Sequence, residues 1–303
     1  MSQTRYLKSM ITPTKVEPTT SDAHIAGTAS GVWSAQDQLE ARRGGAWPDA
    51  SVADPDTLIE SNFSCTVYTG DGNSGRAVTT GIDSVNKSSL IWIKRRDNEQ
   101  SHALFDTLRG VDTRVESDAT DGNQTLSDNS LQSFTSTGFT VGSHDLVNGS
   151  TKTYVSWTFK KAPKFFDIVT YTGSGSAKTV AHSLGGTVGM ILIKNLDQTD
   201  NWAVYHRGNT AAPQTDYLKL NNSHATADSA DLWNDTSPTT SVFTVGTDHS
   251  VNASGEFYVA YLFSTLAGVS KVGTVSHSGS STDVDCGFSA GARLVMLKRT
   301  DST

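Results

Sequence analysis

Apolar and polar positions alternate along this chain over short stretches, with the period of a strand. Tyr154-Val155-Ser156-Trp157-Thr158-Phe159 reads as a half-buried strand, and Leu90-Ile91-Trp92-Ile93 is a short apolar run bounded by turn residues. The stretches between such runs, among them 118–129 and 221–238, are rich in Asp, Asn, Ser and Gly and read as loops or short edge strands. Several strands without a helical period between them predict antiparallel sandwiches. The exception lies near the N-terminus. Ser34-Ala35-Gln36-Asp37 forms a capping box that opens a short helix from Gln38 to Arg43, and Gly44-Gly45 stops it. The pattern predicts an all-β chain of tandem antiparallel β-sandwiches, preceded by an extended arm with one short helix.

The strands recur in order. Phe139-Thr140-Val141-Gly142 returns as Phe243-Thr244-Val245-Gly246, and Val147-Asn148 as Val251-Asn252. Tyr154-Val155-Ser156-Trp157-Thr158-Phe159 returns as Tyr258-Val259-Ala260-Tyr261-Leu262-Phe263. Ile91-Trp92-Ile93-Lys94 answers to Ile191-Leu192-Ile193-Lys194, and the pair Arg109-Gly110 to Arg207-Gly208. A third copy opens with Val275-Ser276-His277-Ser278-Gly279 and Leu294-Val295-Met296-Leu297-Lys298, with Asp301 in its place. Ordered blocks at a fixed period mark serial units. They divide the chain into an attachment arm at 1–62, repeats at 63–164 and 165–266, and the start of a third repeat at 267–303. One strand with nothing to pair against is no foldable ending, so a longer natural polypeptide is expected.

Composition narrows the class. Of 303 residues 36% are hydrophobic and 18% charged, with 26 Gly and abundant Ser and Thr, which excludes a helical bundle. A net charge of −7, with Lys94-Arg95-Arg96 as the one dense basic run, argues against nucleic acid. Cys65 and Cys286 lie too far apart in sequence to suggest a framework or a metal site. The N-terminus lacks the apolar core of a signal peptide and no stretch is long enough to insert in a membrane, so synthesis in a cytoplasm is expected.

Catalytic chemistry finds little footing. The eight His residues are scattered without metal-ligand spacing, and no nucleophile elbow or phosphate loop is present. Neither a cofactor nor a metal is expected, and the chain reads as no enzyme. Asp71-Gly72-Asn73 and Asp118–Asn123 could offer oxygen ligands to calcium, but they read better as turns. Trp202, Tyr217 and Trp233 sit in a loop-rich part of the second unit, where an aromatic face could stack on a sugar. The competing reading makes Trp202 and Trp233 core. In the arm, Trp33, Leu39 and Trp47 have few local partners and want a surface to bury against, and Gln38 and Arg42 share the short helix with Leu39.

The stretch Gly31-Val32-Trp33-Ser34-Ala35-Gln36-Asp37-Gln38-Leu39-Glu40-Ala41-Arg42-Arg43-Gly44-Gly45-Ala46-Trp47-Pro48 resembles one near the N-terminus of tail-associated structural proteins of tailed bacteriophages of aquatic bacteria. The tandem unit is similar to a repeated domain of those virion proteins, regarded as a lectin-like or jelly-roll-like sandwich. The resemblance implies a tail fibre that docks on tail or baseplate proteins through Trp33, Gln38, Leu39, Arg42 and Trp47. Its outer domains would face a host-surface glycan. It implies a homotrimer located in the virion and assembled in the host cytoplasm. The alternatives are a capsid decoration protein with a lacing arm and a fibre-borne glycan hydrolase. A bacterial adhesin would need an export signal.

Overall fold

The computed structural model describes residues 58–125, 129–277, 279–289 and 291–301. The arm, its helix and the attachment residues Trp33, Gln38, Leu39, Arg42 and Trp47 lie outside the described residues.

The first repeat opens with a single turn, α1 (Ile59–Asn62), and runs β1 (Phe63–Thr69), β2 (Arg76–Thr79), β3 (Ser89–Arg95), β4 (Ala103–Asp106), β5 (Gly110–Val115), β6 (Gln124–Thr125), β7 (Leu131–Thr135) and β8 (Gly138–Val141). A second turn, α2 (Asp145–Asn148), leads into β9 (Thr153–Lys160). The second repeat runs β10 (Phe166–Thr172), β11 (Lys178–Ala181), β12 (Val188–Asn195), β13 (Ala203–His206), β14 (Asp216–Lys219) and β15 (Ala227–Asp228). The turn α3 (Ala230–Trp233), β16 (Val242–Val245), the turn α4 (His249–Asn252) and β17 (Phe257–Ser264) complete it.

Each repeat is a sandwich of one large and one small antiparallel sheet. The large sheets have the orders β1-β9-β3-β4-β5-β6 and β10-β17-β12-β13-β14-β15, with the last strand of each repeat between its first and third. The small sheets are β2-β8-β7 and β11-β16. Phe139 pairs with Val78 as Phe243 pairs with Val180, and Tyr154 with Tyr68 as Tyr258 with Tyr171. The chain is therefore all-β, as the alternation predicts. The two repeats differ where β7 of the first is replaced by α3 in the second.

The duplicated blocks hold each sandwich shut. Tyr154 Oη donates to Asp145 O and accepts from Gly149 N, and Tyr258 Oη does the same with His249 O and Ala253 N. Tyr68 and Tyr171 stack on these rings at 5.2 and 5.1 Å and donate to Val147 O and Val251 O. Asn148 Nδ2 donates to Gly142 O and Asn73 O, and Asn252 Nδ2 to Gly246 O and Ser176 O. Lys194 is fully buried, and its ammonium donates to the carbonyls of Asn195, Gln198 and Asp200, closing the loop after β12. Burial pushes its pKa down to about 8. Lys94 closes the matching loop through Arg95 O and Asn98 O.

Three cores result. Ile91, Ile93, Phe105, Phe139 and Tyr154 fill the first sandwich, and Ile191, Ile193, Tyr205, Phe243 and Tyr258 the second. The third lies between the two large sheets, where Leu90, Trp92, Leu104 and Phe159 meet Phe166, Ile168, Leu192, Val259 and Tyr261. Strands β3 and β12 are thus apolar on both faces, which is why their sequences run continuously hydrophobic instead of alternating. The two repeats are not held apart. They pack on each other, because each large sheet has two apolar faces to bury, at ~1.5–3 kcal/mol per large side chain.

The third copy departs from expectation. Leu266 N donates to Ser270 O as Ala162 N donates to Phe166 O, so the entrance turn is repeated. Beyond it, no strand is formed among the described residues 271–301, and Val295 and Leu297 are exposed. In repeats 1 and 2 the third strand pairs on one side with the last strand of its own unit, and the described residues of this stretch show no such pairing.

Candidate functional site

The chemistry outside the sandwich cores concentrates where the repeats meet. Asp106, at the end of β4, accepts backbone bonds from Leu108 N and Arg109 N, both at 3.0 Å, which fixes a tight turn into β5. The same carboxylate receives Arg109 Nε at 2.6 Å, and both side chains are almost wholly buried. Arg109 spends its other donors on Asn123 Oδ1, Leu104 O and Tyr261 Oη. Tyr261 Oη, from the second repeat, donates back to Asp106 Oδ2 at 2.8 Å. Burial raises the Tyr261 pKa well above its ordinary value, so the phenol remains a donor. Every charge in this cluster is paired, which a buried ion pair requires.

A second set of contacts lies beside it. Trp202 Nε1 donates to Glu116 O at 2.8 Å, and its ring stacks on Tyr261. Asn123 N donates to Leu196 O and Asp200 N to Thr120 O. The loop 118–123 is thus a connector between repeats. Asp118 accepts from His102 N and Asn123 Oδ1 accepts from Arg109, so two of that loop's oxygen donors are already engaged. Asp71 is likewise engaged by Asn73 N, Asn148 Nδ2 and Arg76, and these bonds hold its pKa at about 2. No cluster of three metal-ligating side chains occurs among the described residues. No described helix is long and apolar enough to cross a membrane.

The sugar-contact residues are corrected by their burial. Trp202 and Trp233 are buried at 0% and 1% exposure. Trp233 Nε1 donates to Asp216 O, and its ring packs edge-on against Tyr205. Tyr217 is half-buried against the same core. The three are not gathered on a face that a pyranose could reach, because Trp202 is buried in the core between the large sheets, Trp233 ends α3 inside the second sandwich, and Tyr217 lies in β14 against that sandwich core.

His102, His182 and His206 serve as acceptors. His102 Nδ1 receives Trp92 Nε1 at 2.8 Å, and His182 and His206 receive the amides of Leu184 and Gly208. Burial lowers the pKa of all three, which keeps them neutral acceptors. Sequence reading missed the Asp106–Arg109–Tyr261 cluster. The duplicated Arg-Gly pair was its only trace, since a contact between residues so far apart in the chain leaves no local pattern.

One cleft of about 800 Å³ opens beside the second repeat. Gly189, Arg207 and Gly208 form one wall, and Val272, Gly273 and Thr274 the other. Gly189 sits at a bulge where β12 slips register against β17. A side chain there would collide with Val272, 2.8 Å from the Cβ it would carry. Arg207 is exposed and makes no side-chain hydrogen bond among the described residues.

Residues 60–303 match the family described as Domain of unknown function (DUF7483), and the chain belongs to that family. No curated protein and no solved structure matches it significantly.

Proposed function

We propose that this member of the family is a structural component of a tailed-phage virion, a tail fibre that docks through its arm and presents its sandwiches to the host surface. The observation that supports it best is the use to which the duplicated residues are put. Tyr154, Tyr258, Asn148, Asn252, Lys94 and Lys194 all close loops or sandwiches, and Arg109 with Tyr261 joins the repeats. Such a body supplies stiffness and surface, which a fibre needs. The resemblance of Gly31–Pro48 to tail-associated proteins points the same way. Attachment to tail or baseplate proteins, a trimer of chains and a host glycan as target belong to this proposal.

Labelling of purified particles with an antibody to the sandwiches tests it. Label on the tail is expected. Label on the capsid shell favours decoration, and particles without the protein overturn the virion role. Deletion of residues 1–48 should leave the sandwiches folded and remove the protein from particles. Mass measurement of the purified chain decides the trimer.

A further inference from the structure

We propose that residues 59–301 are laid out on a three-place plan around the core between the large sheets. The third place would then be a docking site for the remaining strands of a third sandwich. Residues 266–301 already occupy its rim.

Equivalent positions from three successive stretches enter the same core. Ile59, Ala162 and Leu266 do so at the entrance turns, and Leu90 and Met190 near the head of the third strand, with Leu294 at the matching position of the strandless third stretch. Ile168 is joined there by Val272, its equivalent one repeat later. Inter-unit bonds recur in the same way. Asn123 N donates to Leu196 O at 2.6 Å, and one repeat later Thr226 N donates to Thr300 O at 2.9 Å. The local pair Arg95–Asp97 returns as Arg299–Asp301, both at 2.7 Å. The third stretch also reaches back to the first unit, where Arg293 meets Glu60 at 3.4 Å. A line of units would leave the first and third apart. These contacts describe a ring.

Two surfaces of the ring are uncovered, and one body fits both. In the second repeat Ile168 and Tyr261 lie side by side, 3% and 0% exposed, under the Asp106–Arg109 turn of the first. Their equivalents Cys65 and Trp157 also pair, yet Cys65 is exposed and Trp157 only half-buried. Nearby Val67 is 62% exposed. The cover they lack is a turn like that between β4 and β5. At the cleft the relation is reversed. Val272 lies against Gly189 in a cleft that Arg207 also lines, and none of the described residues lining that cleft is aromatic. The missing piece there is a last strand carrying the counterpart of Tyr261. The second cleft, near Lys178, offers no such socket, because that ammonium already donates to Thr172 O.

The occupant is therefore a segment patterned like residues 203–264. Its β4–β5-like turn would cover Trp157, and its last strand would enter between the stretches around Val272 and Leu294. This inference is independent of the virion role, since purified protein tests it and particle labelling would be unaffected by its failure. The test is a chain in which a copy of residues 198–264 is appended after Asp301. The expected result is at least about tenfold slower reaction of Cys65 with a thiol reagent, and amide protection appearing across 271–298. Unchanged Cys65 reactivity and exchange overturn the proposal. Should the added segment fail to fold, Leu294→Asp in the chain as it stands gives a second reading. Thr226, whose amide is held by Thr300 O, should then exchange about tenfold faster while β2 and β8 are unaffected. Unchanged exchange at Thr226 overturns the seating of the third stretch.

Discussion

The two repeats share strand order and closing residues, yet the same Arg-Gly pair meets opposite fates in them. Arg109 is buried between a carboxylate, a carbonyl, an amide and the phenol of the other repeat, whereas Arg207 stands exposed at a cleft. The difference is set by the partners within reach of each guanidinium. His206 takes the place of Asp106 in the second turn, so no carboxylate fixes the guanidinium there. Tyr261 supplies a second-repeat phenol to the first, and among the described residues nothing equivalent reaches Arg207. A duplicated motif thus does duplicated work only where its partners are duplicated as well.

Removing Arg109 should have the largest effect. Arg109→Ala leaves Asp106 and Tyr261 buried without their partner and should cost about 3–5 kcal/mol in denaturant unfolding. A loss below 1 kcal/mol would mean that the cluster is not the joint between repeats. Gly70→Ala and Gly173→Ala come next and should match each other. The new Cβ would lie 2.2 Å from Gly149 O or 2.0 Å from Ala253 O. Each should cost about 2–3 kcal/mol, and unequal losses would show that the two sandwiches do not close alike. Tyr68→Phe and Tyr171→Phe each remove one bond to a backbone carbonyl and should cost about 1 kcal/mol.

Acid should loosen both repeats together. The pKa values of His102, His182 and His206 are depressed by burial, so the unfolded chain binds more protons than the folded one below about pH 6.5. Their contribution is complete above that pH and is lost as pH falls below it. The melting temperature should therefore drop between pH 7 and pH 5. A flat profile would place these rings in solvent. Asp71 acts at lower pH, since its depressed carboxyl loses its contribution only as pH falls from about 3.8 toward about 2. The smallest effect belongs to Arg207→Ala, expected within about 0.5 kcal/mol of the parent. A large loss there would erase the contrast with Arg109.

The strand pattern, the repeat and the placing of Phe139, Phe243, Tyr154 and Tyr258 were legible in the chain, because alternation and recurrence are local and survive in one dimension. The apolar run Leu90–Ile93 was legible as a short strand, but that β3 and β12 bury both faces came from the structure. Tertiary structure alone decided that the repeats share a core, that loop 118–123 is a connector and that Trp202 and Trp233 point inward. It also decided which of two identical Arg-Gly pairs is buried. Trp233 meets a carbonyl 17 residues away, but Trp202 and the Asp106–Arg109–Tyr261 cluster depend on groups 86 to 155 residues apart meeting in low dielectric. There a carboxylate or phenol opposite determines whether a guanidinium can leave water.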